Sequence, residues 1–456
     1  MAVVTPVVPP TRRNVELVLL LFAIAVAEAA YAIVGLTVQG AVPQDWWLVG
    51  GGLALMVLVV HGVLRWRAPY ADPVILPIAT VLNGLGLVMI HRLDLAHHFN
   101  KSTSLATRQL AWSAIGVACA IAVIIYVRDH RSLARYTYTA MIAGFGLLLL
   151  PLLPGLGQDI RGARIWIAVG PLSFQPGEIA KICLALFFAG YLVTARDSLS
   201  LVGRRFVGLQ LPRGRDLGPI LVAWAASLGV LVLESDLGTS LLFFGLFVAM
   251  LYVATERTSW IVIGLLLFAG GAVLAWSLFS HVQVRVNIWL HPFDPANAAT
   301  AYQPIQGWFG MASGGLLGTG LGQGRPDLVP FAQSDFIVAA MGEELGLAGV
   351  FALLVLYGML VERGLRTAIG VRDGFGKLLA TGLAFSIALQ VFVVVGGVTR
   401  LIPLTGLTTP FLAYGGSSLV SNWIVVGLLL RISDSARRPP ESVSVPTEEV
   451  AQVVPA

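Results

Sequence analysis

VELVLLLFAIAVAEAAYAIVGLTV, from Val15 to Val38, decides the class of this protein. It holds 24 residues and only two charges, Glu16 and Glu28. A bilayer core is ~30 Å thick and a helix rises ~1.5 Å per residue, so ~20 consecutive apolar residues cross it. This run is long enough. Working outward, eleven more runs of the same kind follow, near 47–65, 73–90, 108–127, 136–153, 178–195, 216–233, 240–255, 259–278, 335–361, 379–398 and 409–431. The composition agrees. Of 456 residues, 57% are hydrophobic and 12% charged, against roughly 25% charged in a soluble domain. The reading is an all-α polytopic membrane protein of about twelve transmembrane helices.

Residues 1–14 are Pro-rich and lack the layout of a cleavable signal peptide. Residues 433–456 are polar and Pro-interrupted, without helical period. Both ends read as disordered tails. Cys119 and Cys183 lie inside apolar runs, so neither a disulfide framework nor a metal-ligand pattern is expected. Basic residues report orientation, because cytoplasmic loops carry an excess of Lys and Arg. With both termini in the cytoplasm, the inner segments hold twenty basic residues and the outer ones eight. The segment from 91 to 107 fits least well, since Arg92, Lys101 and Arg108 fall at or beside an outer loop. No nucleic-acid partner is expected.

This topology puts the longest loop, 279–334, outside. Its centre, HPFDPANAATAYQPIQGWFGMASGG (His291–Gly315), carries one acid, three Gln or Asn residues and four aromatics. Structureless loops longer than ~15 residues are uncommon in compact proteins, so a folded, functional loop is expected over a flexible linker. The small residues of GMASGGLLGTGLGQG suit close backbone approach to a sugar or phosphate. They form no nucleotide loop, because no Gly-Lys-Ser or Gly-Lys-Thr follows.

Polar groups within the spans mark the other candidates. Glu178 and Lys181 stand three apart on one helix face, and ionisable groups in a membrane helix normally meet a partner or a cavity. They read either as a packing salt bridge or as substrate ligands. Arg164 lies just outside, with Trp166 as an interfacial anchor; its guanidinium could clamp phosphate. Asp236, followed by Gly238, reads first as a helix cap. Asp335 opens the tenth span. Glu343 and Glu344 lie ~12 Å further in and point ~100° apart, so they do not form an acid–base couple. TRLIPLTGLTTPFLAYGGSSLVSN, from Thr399 to Asn422, reads as broken or re-entrant helix around a polar cavity, or as small-residue packing.

FQPGEIAK (Phe174–Lys181), DLGTS (Asp236–Ser240), SDFIVAAMGEELGLAG (Ser334–Gly349) and IPLTGLTTPFLAYGGSS (Ile402–Ser418) together resemble the signatures of the SEDS family of bacterial shape, elongation, division and sporulation proteins. The resemblance covers about 73–432, closest to RodA-like elongation members of actinobacteria. It implies a ten-span core, with residues 15–72 as two added N-terminal helices. It also implies a peptidoglycan glycosyltransferase of the bacterial plasma membrane that polymerises lipid II, paired with a class B penicillin-binding protein. The family's catalytic aspartate precedes a proline shortly before a Tyr-Gln or Tyr-His pair, which implies Asp294, with Pro295 and Tyr302-Gln303. The Asp-to-Tyr spacing is two residues longer here than in the usual pattern. Carried over in the same way, Arg164, Gln175, Glu178, Lys181, Gln303, Asp335, Glu343, Glu344 and Ser417 are the substrate-binding set. Arg285 and Arg400 stand in reserve for the pyrophosphate. No cofactor is assigned, and a divalent cation could share that duty. A lipid II flippase and a non-catalytic scaffold remain the alternatives.

Overall fold

A computed structural model of the chain describes residues 10–439 apart from 97–103, 161–162, 170–171, 200–201, 207–208, 213–216 and 235. The terminal stretches 1–9 and 440–456, within the tails expected to be disordered, lie outside the described residues. Fourteen α-helices are described. In chain order the first nine are α1 (Arg13–Gln39), α2 (Trp46–Arg67), α3 (Ile75–Ala96), α4 (Leu105–Tyr126), α5 (Thr137–Leu149), α6 (Gly177–Leu199), α7 (Gly218–Glu234), α8 (Leu237–Thr255) and α9 (Thr258–Leu278). Then come α10 (Ser280–Leu290), α11 (Tyr302–Gly314), α12 (Ile337–Gly370), α13 (Gly374–Val398) and α14 (Gly416–Arg437).

Every expected span falls on a helix. Eleven are long and apolar enough to cross a membrane, counting α5 with its flanking 3-10 turns; α7, at 17 residues, is shorter. α14 runs to Arg437, past the expected boundary at 432. Two small antiparallel sheets add to the all-helical expectation. The first comprises β1 (Gly157–Ile160), β2 (Ala163–Val169) and β3 (Leu172–Phe174), with Gly157 opposite Ile167 and Ala168 opposite Ser173. The second is the hairpin of β4 (Val202–Phe206) and β5 (Leu209–Pro212).

α3, α13 and α14 form the centre, and α9 lies at the periphery. α14 shows why a central span need not be purely apolar. Its Ser417, Ser418, Ser421, Asn422, Arg431 and Asp434 are all buried. Ser421 and Asn422 pair with α6, Arg431 donates to the carbonyls of Arg67 and Val127, and Asp434 accepts from Tyr70 N, so these groups meet protein instead of lipid. The N-terminal pair packs on this core with its own polar lock. Glu16 accepts from Arg13 at 2.5 Å and lies 2.6 Å from His61 Nδ1 on α2.

The long segment after α9 is folded. It contains α10, a 3-10 turn at Pro295–Asn297, α11 and a second 3-10 turn at Pro326–Leu328. It returns into α12, which is broken at Gly346, where φ is 69° and ψ is −174°.

Candidate functional site

α10 ends at the side of the turn that follows α13, and the two clasp each other. Trp289 Nε1 donates to the Arg400 carbonyl at 3.0 Å. Arg400 returns Nε to the Trp289 carbonyl at 2.9 Å and Nη2 to the Leu290 carbonyl at 3.1 Å. Arg400 holds a left-handed φ of 64°, which non-glycine residues adopt only where surroundings enforce it. Arg285 donates to the Leu404 carbonyl at 2.9 Å, and Trp308 of α11 donates to the Val398 carbonyl at 2.7 Å. The Arg400 guanidinium sits 5.5 Å from the centre of the Trp308 ring. Arg285, Trp289, Trp308 and Arg400 thus line one small groove with Ile402 and Leu404.

Asp294 follows immediately. It caps the 3-10 turn, its Oδ1 accepting from Ala296 N at 2.9 Å. The side chain is exposed, and Oδ2 has no hydrogen bond among the described residues. Pro292 and Pro295 limit the backbone on either side. A carboxylate with one oxygen held and the other open, four to five residues past the Arg400 clamp on Leu290 and Trp289, can accept a proton from a bound hydroxyl.

A second polar centre lies inside the helices. Lys181 Nζ is 2.6 Å from Glu178 Oε2 and donates to Gln390 Oε1 at 3.0 Å and Asn422 Oδ1 at 3.4 Å. Ser421 donates to the Glu178 carbonyl at 2.7 Å. Gln175 and Ser417 are buried at the starts of α6 and α14. Gln390 and Asn422 are additions to the expected set. Their signal was present, since an amide inside an apolar span seeks a polar partner, but nothing local says which span supplies it.

Four of the remaining candidates hold the chain. Glu344 Oε1 accepts from Arg92 Nε at 2.9 Å and Oε2 from Gly322 N at 2.9 Å. Glu343 Oε1 accepts from Arg325 N at 2.6 Å. Gln303 donates to the Pro330 carbonyl at 2.8 Å. Asp236 caps α8 through Gly238 N and Thr239 N at 2.9 and 3.2 Å, as the cap reading expected. Arg164 is exposed on β2, and Asp335 is half-buried just before α12. Among the described residues no three His, Cys, Asp or Glu side chains gather as a metal-ligand set.

One expectation is corrected. The small residues after α11 approach α12, and no sugar or phosphate is needed to explain them. At the Gly346 break the helix loses its own hydrogen bonds, and the loop backbone replaces them. Thr319 N and Gly320 N donate to the carbonyls of Glu343 and Glu344 at 2.9 and 3.0 Å. Leu347 N and Ala348 N donate to the carbonyls of Gly315 and Leu316 at 2.9 and 3.0 Å. Gly318, with φ of 85°, meets this helix so closely that a Cβ would stand 2.2 Å from the Glu344 oxygen. Only glycine tolerates both the angle and the contact.

A family model described as a cell cycle protein, covering FtsW, RodA and SpoVE, matches residues 73–438. The chain belongs to this family. The peptidoglycan glycosyltransferase RodA of Mycobacterium tuberculosis (strain ATCC 25618 / H37Rv) is 51% identical over 445 residues, covering 96% of this chain and 93% of that protein. Stage V sporulation protein E of Bacillus subtilis (strain 168) is 35% identical, covering 80% and 98%. Among solved structures, the rod shape determining protein RodA of Thermus thermophilus is similar with a TM-score of 0.56 and 27% identity, covering 81% and 98%. A chain from a structure described as "Structural coordination of polymerization and crosslinking by a peptidoglycan synthase complex" is similar with a TM-score of 0.64 and 28% identity, covering 80% and 98%. The family match begins after α2, so α1 and α2 both stand outside the matched residues.

Proposed function

We propose that this family member is a peptidoglycan glycosyltransferase that polymerises lipid II for cell elongation and shape, with Asp294 as general base. The observation that carries the reading is the exposed Asp294 carboxylate, with Oδ1 fixed and Oδ2 open, on a turn clamped beside Arg285 and Arg400. The family relationship and the name of the mycobacterial relative support the activity.

The chemistry needs one carboxylate. The leaving group is a lipid pyrophosphate, already a stable anion, which calls for cationic stabilisation and not for a proton. Asp294 takes the proton of the GlcNAc 4-hydroxyl as that oxygen attacks the MurNAc C1 of the growing chain, with inversion. Arg400, bonded to the Trp289 and Leu290 carbonyls, and Arg285, in the same groove, are cations at the segment that leads into the Asp294 turn. Arg164 and Lys181 remain in the substrate set, together with Gln175, Glu178, Gln303, Asp335 and Ser417. Glu343 and Glu344 serve that set indirectly, by holding the loop.

Both termini lie in the cytoplasm and the reaction occurs at the outer face of the plasma membrane. The pairing of Arg92 with Glu344 supports this orientation, because a buried, neutralised arginine is a poor topological signal; it removes one of the basic residues that fitted badly. The partner is a class B penicillin-binding protein that crosslinks the strands.

The test is polymerisation of lipid II by purified protein with a partner disabled in crosslinking. Glycan chains formed without nucleotide, and lost in Asp294→Asn, support the enzyme. Transfer of lipid II across vesicles without polymer would instead establish a flippase. Neither activity would leave a scaffold.

A further inference from the structure

Arg92 lies outside the proposed catalytic and substrate-binding set, yet it is buried and bonded to two other parts of the chain. It stands in the last turns of α3, 5% exposed. Its Nε meets Glu344 Oε1 at 2.9 Å, and its Nη2 meets the Gly324 carbonyl at 2.7 Å. Glu344 in turn holds Gly322 N at 2.9 Å. One buried ion pair therefore fixes two points of the loop, one through a carbonyl and one through an N–H. α1 adds a third, since Thr37 Oγ1 lies 2.9 Å from the Leu321 carbonyl. α1 is joined to the same end of α3, where Tyr31 stacks on His91 with ring centres 4.3 Å apart and its hydroxyl lies 3.1 Å from Nδ1.

A buried Arg–Glu pair brings little or no stability over apolar side chains of similar volume, because both charges lose their water. Apolar side chains cannot hold a carbonyl and an N–H two residues apart. We propose, resting on the function above, that Arg92 is a positioning residue for polymerisation. It fixes residues 321–324 against α1, α3 and the break in α12. Through α11, whose Trp308 reaches the Arg400 turn, it sets where Asp294 stands. The N-terminal helix pair, outside the family match, is the outer wall of this brace.

The test uses the full chain with its crosslinking-disabled partner and varies lipid II concentration. Arg92→Lys keeps a charge for Glu344 but cannot also reach Gly324. It should lower kcat about tenfold, less than the ~10²-fold that a 1 Å misplacement can cost. KM should stay within about twofold on the same argument. Amide exchange at Gly322 should quicken. The paired variant Arg92→Met with Glu344→Leu removes both charges, so it should melt no lower than the parent while kcat stays depressed. Parental kcat in that stable variant, or unchanged exchange at Gly322 in Arg92→Lys, overturns the proposal. Asp294→Asn run alongside separates the two readings. If it stays active while the paired variant is slow, the brace serves a different base and the Asp294 assignment fails. If it is inactive while the paired variant runs at full speed, the brace alone fails.

Discussion

Asp294 and Glu344 are carboxylates placed in opposite ways by the same loop. Asp294 is exposed, with one oxygen tied to its own turn and the other open. Glu344 is buried, with both oxygens filled by Arg92 and Gly322. Glu178 resembles Glu344, since it is buried beside Lys181 at 2.6 Å. A group that must take a proton needs room for the substrate that brings it. A group that must hold backbone or balance a buried cation needs its bonds made in advance. Acidity in the sequence therefore marks two jobs, and exposure tells them apart.

The largest expected effect separates activity from stability. Asp294→Asn should lose roughly 10²-fold or more in polymerisation, the usual worth of a positioned base, with an unchanged melting temperature. A large fall in melting temperature with residual turnover would place Asp294 with the structural carboxylates and dissolve the contrast.

Lys181→Met probes the opposite pole. It leaves Glu178 buried without its cation, which costs about 3–5 kcal/mol in comparable pairs. Thermal unfolding in detergent should show it. The exchange of Glu178→Lys with Lys181→Glu should recover the stability of the pair. Full recovery of turnover as well would mean that Lys181 has no contact with substrate.

Gly346→Ala asks whether the break in α12 is built in. A side chain at φ of 69° is strained, and the Cβ would stand 2.2 Å from Gly318 N. The expected cost is about 1–3 kcal/mol from the backbone conformation alone, read as a lower melting temperature. An unchanged melting temperature would show that the loop can leave the break at no cost. A smaller loss, about 1 kcal/mol, is expected for Asp236→Ala, which removes a helix cap; polymerisation should persist in proportion to folded protein.

The mildest effect is a pH dependence on the side of the molecule away from Asp294. Burial raises the Asp373 carboxyl, but the Gly376 N–H, the hydrogen bond and charge of His130 and the bond to Arg131 outweigh it, leaving it below its ordinary 3.8. A depressed acid contributes stability above its unfolded value and loses it as pH falls through the folded one. The link from residues 130–131 to α13 should therefore be intact from pH 5 to 7 and weaken below about 4. Asp373→Asn should flatten that acid limb; an unaltered limb would exclude this link.

Much of this was legible in the sequence, for identifiable reasons. Apolar length is a local property, so each span was found where α1 to α9 and α12 to α14 lie, and only the shortness of α7 blurs the count. The Asp236 cap was legible because a cap acts within three residues. Arg92 was misleading because its charge was read as exposed, while its partner stands 252 positions away on α12. Gln390 and Asn422 escaped for the same reason. The glycine run was recognised as needing close approach, but a sequence does not name the surface approached. The two small sheets fell between signals that were read as spans and loops.

The filled break at Gly346 also sets a rule about chain length. From Gly315 to Gly320 the loop answers α12 almost residue for residue, giving carbonyls at 315 and 316 and N–H groups at 319 and 320. One inserted residue would shift the donors out of step and leave the Glu343 and Glu344 carbonyls unanswered inside an apolar span, where no water replaces them. Between Asp294 and Tyr302 the chain is an exposed turn bonded chiefly to itself. Insertions and deletions should therefore be absorbed before α11 and refused after it. The longer Asp294-to-Tyr302 spacing that the family resemblance implies would fall on the tolerant side of that line.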